Sequence, residues 1–411
     1  MDLEFYDHLE TREMGKREAD QFAQLPALLK KARGSGQGWH THLEGVDPDS
    51  VTSREALANL PVLRKSDLVA KLAEENGLGS LSNGSSFGLQ RVFMSPGPIW
   101  EMQGSGKDPW NCARALHAAG FRGGERVHNT FSYHMTPGGF IMDEGLRALG
   151  AVVFPAGTGN TDLQVAAISG YRPTAYTGTP DYLKIIIERA DELGADISSI
   201  DKALVSGGAL FPSLREFYLN RGIRVQQCYA TAELGVIAYE SSAQEGMVVN
   251  EGYLVEIVTP GTGDPVAQGD VGEVVVTTLN GGYPYFRFAT GDLSAVVAGA
   301  SACGRTNMRL KGWMGRADQR TKVKGMFVDP VQINRISKSY GELGRLRLNV
   351  LRKQERDHMI LLAESPRQDE SLIGELKQAL KENTGLSGDV ELVDLGTLPN
   401  DGKVISDERT L

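Results

Sequence analysis

Two patterns of apolar residues alternate between residues 109 and 235 of the chain. Segments with apolar side chains at three- and four-residue spacing, which predict amphipathic helices, are followed by short continuous apolar runs, which predict buried strands. The predicted strands read ERVHNTF, AVVFPAG, PTAYTGT, KALVSGG and RVQQCYA. Strands interleaved with helices of this length indicate right-handed crossover units and therefore a parallel sheet.

The flanking regions have different patterns. Residues 1–75 are predicted to form a helical cap, since QFAQLPALLKKAR and SREALANLPVLRKSDLVAKLAEE have helical spacing. Residues 251–317 show β-rich alternation and predict an antiparallel appendage. We therefore predict an α/β fold with a large N-terminal domain, 1–317, whose core is 76–250, and a small α+β domain, 318–411.

Glycine-containing loops follow four of the predicted parallel strands. They are Gly157 to Thr161, Gly178 to Pro180, Ser206 to Ala209 and Tyr229 to Gly235. Ligands of parallel sheets bind at the carboxyl ends of the strands, and exposed N–H groups at helix starts favour phosphate. Ordinary helix capping would also explain each loop, but four loops on one edge favour a nucleotide and acyl site.

Composition narrows the class of protein. A chain of 411 residues exceeds what one hydrophobic core normally serves, and its net charge of -9 offers no basic surface for nucleic acid or an anionic membrane. Three widely spaced cysteines argue against a disulfide scaffold, and no apolar run is long enough for a signal peptide or a membrane span. We expect a cytoplasmic protein, with a homodimer left open.

Charged residues are concentrated in glycine turns between Tyr283 and Pro330. The relevant ones are Arg287, Thr290, Gly291, Asp292, Gly315, Arg316, Asp318, Lys322, Lys324 and Gly325. Their order resembles three successive signatures of adenylate-forming enzymes, and most closely the phenylacetate-CoA ligase branch. Further motifs occur in matching order: RVHNTFSYHMTPGG at 126–139, GNT at 159–161, CYATAELG at 228–235, GEVVVTTL at 272–279 and NDGKVISDE near the end.

The resemblance implies an AMP-forming acid-CoA ligase. Such an enzyme uses ATP and Mg²⁺ to activate a small carboxylic acid, here an aryl or related acid, as an acyl-adenylate, and then transfers the acyl group to CoA. Two rivals stay open: the same fold with another acyl acceptor, and a repurposed or non-catalytic binder of an acyl group or nucleotide.

The resemblance also assigns residues to roles in the large domain. Glu233 matches the glutamate that helps to hold Mg²⁺, Thr231 lies beside the phosphate, and Tyr229 lies against the adenine. Asp292 matches the aspartate that accepts hydrogen bonds from the ribose hydroxyls. The remaining predicted nucleotide contacts are Ser206, Gly207, Gly208, Ala230 and Arg316. For Glu233 a structural interpretation also exists, in which Thr231 caps a helix and Glu233 lies in its first turn.

In the small domain the resemblance implies movement. Asp318 matches the hinge about which the small domain rotates between the two half-reactions. Lys403 matches the lysine of the adenylation step, and Lys324 and Gly325 match a basic turn predicted to contact the cofactor.

Two stretches depart from the family pattern. The phosphate loop is replaced by RVFMSPGPIWEMQGSGKDPW, in which Pro96 and Pro98 remove two N–H donors. The candidate substitutes for phosphate binding are Ser95, Gly97, Gly104, Ser105, Gly106 and Lys107. At the positions where some relatives hold zinc, the chain has Ser241, Val248 and Ser301 beside Cys303, so we expect no structural zinc.

An acyl pocket is predicted after the strand ERVHNTF. Tyr133, His134, Gly138 and Gly139 lie there and could shape a site for a flat aromatic acid. A loop histidine is more often structural or solvated than catalytic, so His134 is assigned to the pocket wall.

Overall fold

The structure is a computed structural model that describes residues 4–65, 67–68, 89–95, 99–259, 262–279, 283–315, 317, 321–353, 356–398 and 404–409. It divides into two compact units, Met1–Met314 and Gly315–Leu411. The predicted α/β fold class is confirmed. Within the described residues, no helix is long and apolar enough to cross a membrane.

The large unit begins with short helices. A 3₁₀ turn at His8–Thr11 precedes α1 (Met14–Phe22), α2 (Leu25–Arg33), α3 (Gln37–His42), a 3₁₀ turn at Pro48–Ser50, and α4 (Arg54–Ala58). The segment QFAQLPALLKKAR is helical but is divided between two helices, because α1 ends before Ala23 and α2 begins at Leu25 with Pro26 in its first turn. Proline fits that position because the first N–H groups of a helix have no intrahelical partner.

The second segment of the predicted helical cap, SREALANLPVLRKSDLVAKLAEE, contains a strand as well as a helix. After α4 the chain passes Pro61 and forms β1 (Leu63–Arg64), which pairs in parallel with a strand more than 200 residues later, Leu63 facing Phe288. The residue before a proline is biased away from helical backbone, which explains the break at this point. Part of the predicted helical cap therefore belongs to a sheet.

A two-stranded hairpin that the sequence did not predict follows. It consists of β2 (Arg91–Ser95) and β3 (Ile99–Gln103), with Arg91 opposite Gln103 at its open end and Ser95 opposite Ile99 at its tip. This hairpin holds the sequence that departs from the family's phosphate loop.

The α/β core follows the predicted alternation. Its elements are α5 (Cys112–Ala118), β4 (Arg126–Asn129), α6 (Gly138–Leu149), β5 (Val152–Pro155), α7 (Thr161–Tyr171), β6 (Ala175–Gly178), α8 (Pro180–Leu193), β7 (Lys202–Val205), α9 (Pro212–Leu219) and β8 (Arg224–Thr231). The strands run parallel in the order β8-β7-β6-β4-β5, so their carboxyl ends share one edge.

Antiparallel strands extend this sheet and form a second one. The elements are β9 (Gly235–Glu240), β10 (Met247–Val249), β11 (Tyr253–Val258), β12 (Gly272–Thr278), β13 (Phe288–Ser294), β14 (Val296–Val297) and β15 (Arg309–Leu310). The large sheet has the order β14-β15-β10-β9-β8-β7-β6-β4-β5, and the second has the order β1-β13-β12-β11. Every side chain of β11 and β12 is buried, as expected for strands covered on both faces.

The small unit is a separate α+β module. It contains β16 (Thr321–Val323), β17 (Met326–Val328), α10 (Pro330–Ser339), β18 (Leu346–Lys353), β19 (Arg356–Glu364), α11 (Glu370–Thr384), β20 (Asp389–Val393) and β21 (Ile405–Asp407). The sheet order is β20-β19-β18-β21, and the two helices pack on it through a core that includes Leu348, Leu361 and Leu376. The sequence did not predict β21.

Candidate functional site

The end of β8 carries Tyr229, Ala230 and Thr231. The sequence predicted a loop here, but β8 continues through Thr231 and pairs antiparallel with β9. A bulge between Tyr229 and Ala230 shifts the register, as is common next to functional sites. The helix N-terminus considered for Thr231 and Glu233 is therefore wrong: residues 232–234 form a hairpin turn.

Gly235 closes this turn. Its φ is +81°, and an added Cβ would lie 2.5 Å from the carbonyl oxygen of Trp110. Glycine is required for both reasons, since other residues rarely adopt this backbone and none has room for a side chain here. The close approach of the turn to Trp110 fixes the position of Glu233.

Glu233 is buried and paired with a lysine from the N-terminal region. Its side chain is 1% exposed, and Nζ of Lys65 lies 2.6 Å from its Oε1. Burial by itself raises the pKa of Glu233, but the Lys65 ammonium, the turn N–H and the Thr231 hydroxyl outweigh it, so that the pKa is lowered. The carboxylate is therefore held ionised, as a cation ligand must be.

Asp292 lies on β13 and accepts two side-chain hydrogen bonds. The Tyr229 hydroxyl donates to Oδ2 at 2.8 Å, and the indole Nε1 of Trp313 donates to Oδ1 at 3.0 Å. Tyr229, Asp292 and Trp313 line a narrow pocket with Met247, Val274, Leu293, Ser294, Leu310 and Gly312. The structure thus brings together the residues predicted to contact adenine and ribose.

Trp313 was missed by the sequence reasoning. Its backbone neighbours are fixed, since Lys311 N donates to Ala295 O and Met314 N donates to Leu293 O, both at 2.9 Å. The available signal was an aromatic residue three positions before Arg316, within the turn-rich stretch already singled out.

Ser206, Gly207 and Gly208 follow β7 at the same sheet edge. The Ser206 hydroxyl donates to the carbonyl of Cys228 at 2.8 Å, which ties this loop to β8 one residue before Tyr229. Gly207 has a φ of +74°. The loop is thereby held beside the predicted adenine contact.

The predicted acyl pocket is a compact loop between β4 and α6. The Tyr133 hydroxyl accepts from Asn129 Nδ2 at 2.7 Å and donates to Asp143 Oδ2 at 2.9 Å. A Cβ on Gly139 would come within 2.8 Å of the Tyr133 ring, so glycine allows this packing. Gly138 has room for a side chain, and His134 is exposed.

The same loop touches the β2–β3 hairpin. Met94 N donates to Met135 O at 2.9 Å, and Phe140 lies 5.3 Å from Phe93 between ring centroids. β2 of the hairpin therefore packs against the predicted acyl pocket.

Lys107 follows the β2–β3 hairpin in the chain, four residues after Gln103 at the open end. Lys107 is exposed, and the next residue, Asp108, caps α5 through Cys112 N and Ala113 N at 2.9 and 2.8 Å. The phosphate contact predicted for Lys107 stays a prediction.

Glu101, in the middle of β3, was not predicted. The residue is 1% exposed, and its Oε1 accepts a hydrogen bond from the Ser95 hydroxyl. Burial and the charge of Glu233 raise its pKa to about 8. The signal was a glutamate between Trp100 and Met102 in a strand, which is rarely buried without a partner or a function.

Lys324 and Gly325 form a tight turn in the small unit. They connect β16 to β17 with φ of +47° and +83°, the backbone of a two-residue hairpin turn. Lys324 N donates to Asp357 at 2.8 Å, and its ammonium reaches the carbonyl of Ser387 at 3.4 Å. The cofactor contact predicted for this turn stays a prediction. Arg316, Asp318 and Lys403 lie outside the described residues. Their assigned roles therefore stay predictions.

The region where relatives hold zinc is closed by hydrogen bonds. The Ser301 hydroxyl lies 3.1 Å from Cys303 Sγ, and Val248 belongs to β10. Burial raises the pKa of the Cys303 thiol, but contacts with Ser241, Ser301 and Arg305 outweigh it, so that the pKa is lowered. The absence of zinc stays a prediction.

Comparison with known proteins gives consistent matches. The AMP-binding enzyme family matches residues 111–283. A phenylacetate-coenzyme A ligase of Thermus thermophilus is 30% identical over 307 residues, which cover 71% of this chain and 68% of that protein. The enzyme of the same name from Pseudomonas putida is 28% identical over 423 residues, covering 97% and 94%.

A solved structure shows the same fold. A 2-hydroxyisobutyryl-CoA ligase, in complex with 2-HIB-AMP and CoA in the thioesterification state, superimposes with a TM-score of 0.82 at 22% identity. The match covers 99% of this chain and 93% of that one.

Proposed function

This chain belongs to the phenylacetate-coenzyme A ligase family of AMP-binding enzymes, and from that membership we propose how its residues carry out the reaction. It is an AMP-forming acid-CoA ligase. It activates a carboxylic acid with ATP as an acyl-adenylate and transfers the acyl group to CoA. The acid that we propose is an aryl or related small one.

The reaction needs positioning more than proton transfer. In the first step a carboxylate oxygen attacks the α-phosphorus of ATP, and the bond to pyrophosphate breaks. In the second step the CoA sulfur attacks the acyl carbon and AMP leaves. Both reactants of the first step are anions, so the site must hold them in line and neutralise their charge.

The observation that carries this proposal is the arrangement around the end of β8. Tyr229 and Thr231 are two residues apart at the end of β8, where the strand pairs with β9. The Tyr229 hydroxyl donates a hydrogen bond to Asp292, and the Thr231 hydroxyl contacts the Glu233 carboxylate. A nucleotide with its ribose at Asp292 would therefore have its phosphates near Thr231 and Glu233.

Asp292 is suited to the ribose hydroxyls. Both carboxylate oxygens are hydrogen-bond acceptors, one facing the Tyr229 hydroxyl and the other the Trp313 indole, and the two hydroxyls of the sugar require acceptors of this kind. The adenine would lie against the Tyr229 ring, beside the loop that Ser206 ties to β8.

The residues at Glu233 fit a divalent cation. Its carboxylate is ionised and buried, and Lys65 at 2.6 Å shows that the site accepts positive charge. Oxygen ligands suit Mg²⁺, which would neutralise phosphate charge as pyrophosphate leaves. Thr231 would orient the α-phosphate and Lys65 would be released toward it.

The acyl group would lie against the Tyr133 loop. The bonds from Tyr133 to Asn129 and Asp143 hold its ring rigid, and Gly139 keeps the space beside it narrow. A rigid aromatic wall favours a flat acid, and the exposed His134 would lie at the rim.

A pyrophosphate-release screen over a panel of aryl and short aliphatic acids, with and without CoA, tests the proposal. We expect release with an aryl acid, and turnover that depends on CoA. Release without CoA dependence would indicate another acyl acceptor. AMP binding with no release for any acid would indicate a repurposed nucleotide binder, which the two prolines of the hairpin would explain.

A further inference from the structure

A buried carboxyl oxygen on the β2–β3 hairpin lacks a partner. Glu101 is 1% exposed, and its Oε1 is satisfied by the Ser95 hydroxyl. Its Oε2 is buried and has no hydrogen-bond partner among the residues that the structure describes. Such a group is costly, so an orphaned carboxyl oxygen indicates a ligand that completes it.

Glu101 and Glu233 lie in one small region although they are 132 positions apart in sequence. Ile99 and Met102, which flank Glu101, belong to the same buried cluster as Tyr285 and Leu234, the residue after Glu233. The charges of the two glutamates also interact. The Lys65 ammonium acts on both carboxyls. It lies 2.6 Å from Glu233 Oε1, although the angles fall outside those of a hydrogen bond.

The charges around Lys65 are not balanced. The Lys65 ammonium forms an ion pair with Glu233, and Glu101 has no ion pair of its own within the described part of the chain. A divalent cation would balance both carboxylates at once. The donor set is entirely oxygen, with the Ser95 and Thr231 hydroxyls beside the carboxyls, which suits Mg²⁺ or Mn²⁺.

The sequence between β2 and β3 indicates what such a cation would do, which is to bind phosphate. The tip contains Pro96 and Pro98, which have no N–H to donate to phosphate. Ser95 precedes this tip and bonds to Glu101, so a cation at Glu101 would lie at its base. A cation bridging to phosphate oxygens would supply attraction that the missing N–H groups cannot.

We propose that Glu101 is a second carboxylate ligand, together with Glu233, of a divalent cation at the base of the hairpin tip. This cation takes over part of the phosphate binding that backbone N–H groups would otherwise provide. The link to phosphate rests on the proposed function, whereas the cation site itself does not.

Mn²⁺ is the probe for the site. Electron paramagnetic resonance measures free Mn²⁺ as it is titrated into the nucleotide-free protein, comparing wild type with Glu101→Gln, Glu233→Gln and the control Glu273→Gln. Glu273 is also a buried glutamate with a cationic neighbour, Arg64 at 3.3 Å, but it lies on β12. We expect the Kd for Mn²⁺ to rise by about tenfold or more in the first two variants, since tenfold is only about 1.4 kcal/mol, and to stay unchanged in the control.

A conservative variant separates ligation from folding. Glu101→Asp keeps the charge but shortens the side chain, so it should bind Mn²⁺ with an affinity between wild type and Glu101→Gln, with an unchanged circular dichroism spectrum. Wild-type affinity in Glu101→Gln, or no Mn²⁺ binding by the wild-type protein, would overturn the proposal. Glu101-dependent Mn²⁺ binding without pyrophosphate release for any acid would instead overturn the proposed function and leave the cation site standing.

Discussion

Asp292 shows how one carboxylate can serve both the protein and a ligand. It is buried, and two aromatic side chains donate to its two oxygens from different elements. These donors fix the plane of the carboxylate before any nucleotide arrives, so less conformational freedom is lost on binding.

The indole N–H of Trp313 should therefore contribute to nucleotide affinity. Trp313→Phe keeps an aromatic ring but removes the donor, and a hydrogen bond to a charged group is among the stronger ones. We expect the Kd for AMP, measured by calorimetry, to rise by about tenfold. Trp100→Phe, on the hairpin, is the matched control, because AMP lacks the phosphates that lie nearest to that element. Tighter binding in Trp313→Phe would show that the indole competes with the ribose instead.

Arg287 shows that a residue in a family signature need not contact the ligand. It belongs to the same signature as Asp292, yet it is 2% exposed and points into the structure. Its guanidinium donates to Glu256 and to the carbonyls of Ala58, Leu60 and Gly263 at 2.7 to 3.0 Å. Spacing in sequence cannot distinguish a ligand contact from such a structural tie, because both require a charged residue next to a turn.

At the scale of elements, the β8–β9 turn should be the most sensitive backbone in the site. Gly235→Ala puts a methyl group against Trp110 and strains a φ of +81°. We expect the free energy of unfolding in urea to fall by about 3 kcal/mol, from strain and overpacking together. Activity should fall further than stability, since Glu233 lies in the same turn.

The matched control is Gly170→Ala in α7. This glycine has no positive φ and no atom within 4 Å of an added Cβ. Alanine in a helix should raise the free energy of unfolding by about 0.5 kcal/mol. Equal effects at both glycines would contradict the role given to the turn.

In the small unit, the end of β19 should make stability depend on pH. Glu364 accepts from Arg345 N at 3.0 Å and from Leu398 N at 2.8 Å, and these donors lower its pKa. A lowered folded pKa stabilises the protein above the unfolded pKa, and this contribution is lost as pH falls through the folded value. The difference in Tm between wild type and Glu364→Gln should therefore be largest near neutral pH and shrink toward about pH 3.

The control for this pH dependence is Glu391→Gln on β20, an exposed glutamate. Its difference in Tm should be small and constant with pH. A difference at Glu364 that does not change with pH would mean that the side chain contributes only through its shape.

The elements that the sequence predicted well are those whose pattern is local. The strands and helices from α5 to β8 alternate as expected, because each apolar run is bounded by its own turn residues. β1 and β21 were missed because each is only two or three residues long and is defined by a distant partner, Phe288 for Leu63 and Leu348 for Ile405. Glu101 and Lys65 could not be predicted as neighbours of Glu233 for the same reason.

For the whole molecule, buried charges tie the N-terminal segment to the later strands. Arg17, 2% exposed, donates to both oxygens of Glu251 at 3.1 Å, and Arg12 donates to the same carboxylate at 2.8 Å. Nearby, Arg305 and Tyr239 both bind Glu10. The paired residues are more than 200 positions apart in sequence. The network therefore connects the N-terminal segment of the large unit to its C-terminal part.

Breaking this network should be costly. Glu251→Gln leaves the buried guanidinium of Arg17 without its counter-charge, whereas Arg12 keeps Asp20 at 3.0 Å, and the loss is expected to lower the free energy of unfolding by about 3 kcal/mol in urea. Asp49→Asn removes the exposed partner of Lys30 and should cost less than about 1 kcal/mol. If the two variants lose equal stability, the buried network is not what connects the two parts of the unit.

The same network affects how the protein is made. Glu10 and its partner Arg305 are 295 positions apart, so at roughly 5 to 20 residues per second a ribosome needs roughly 15 to 60 s to supply that partner. During that time the apolar and charged faces of the first helices and of β1 are exposed to solvent, because their later partners have not yet been synthesised. The large unit should therefore complete its folding only late in synthesis, and premature termination before residue 305 should leave a product that depends on chaperones.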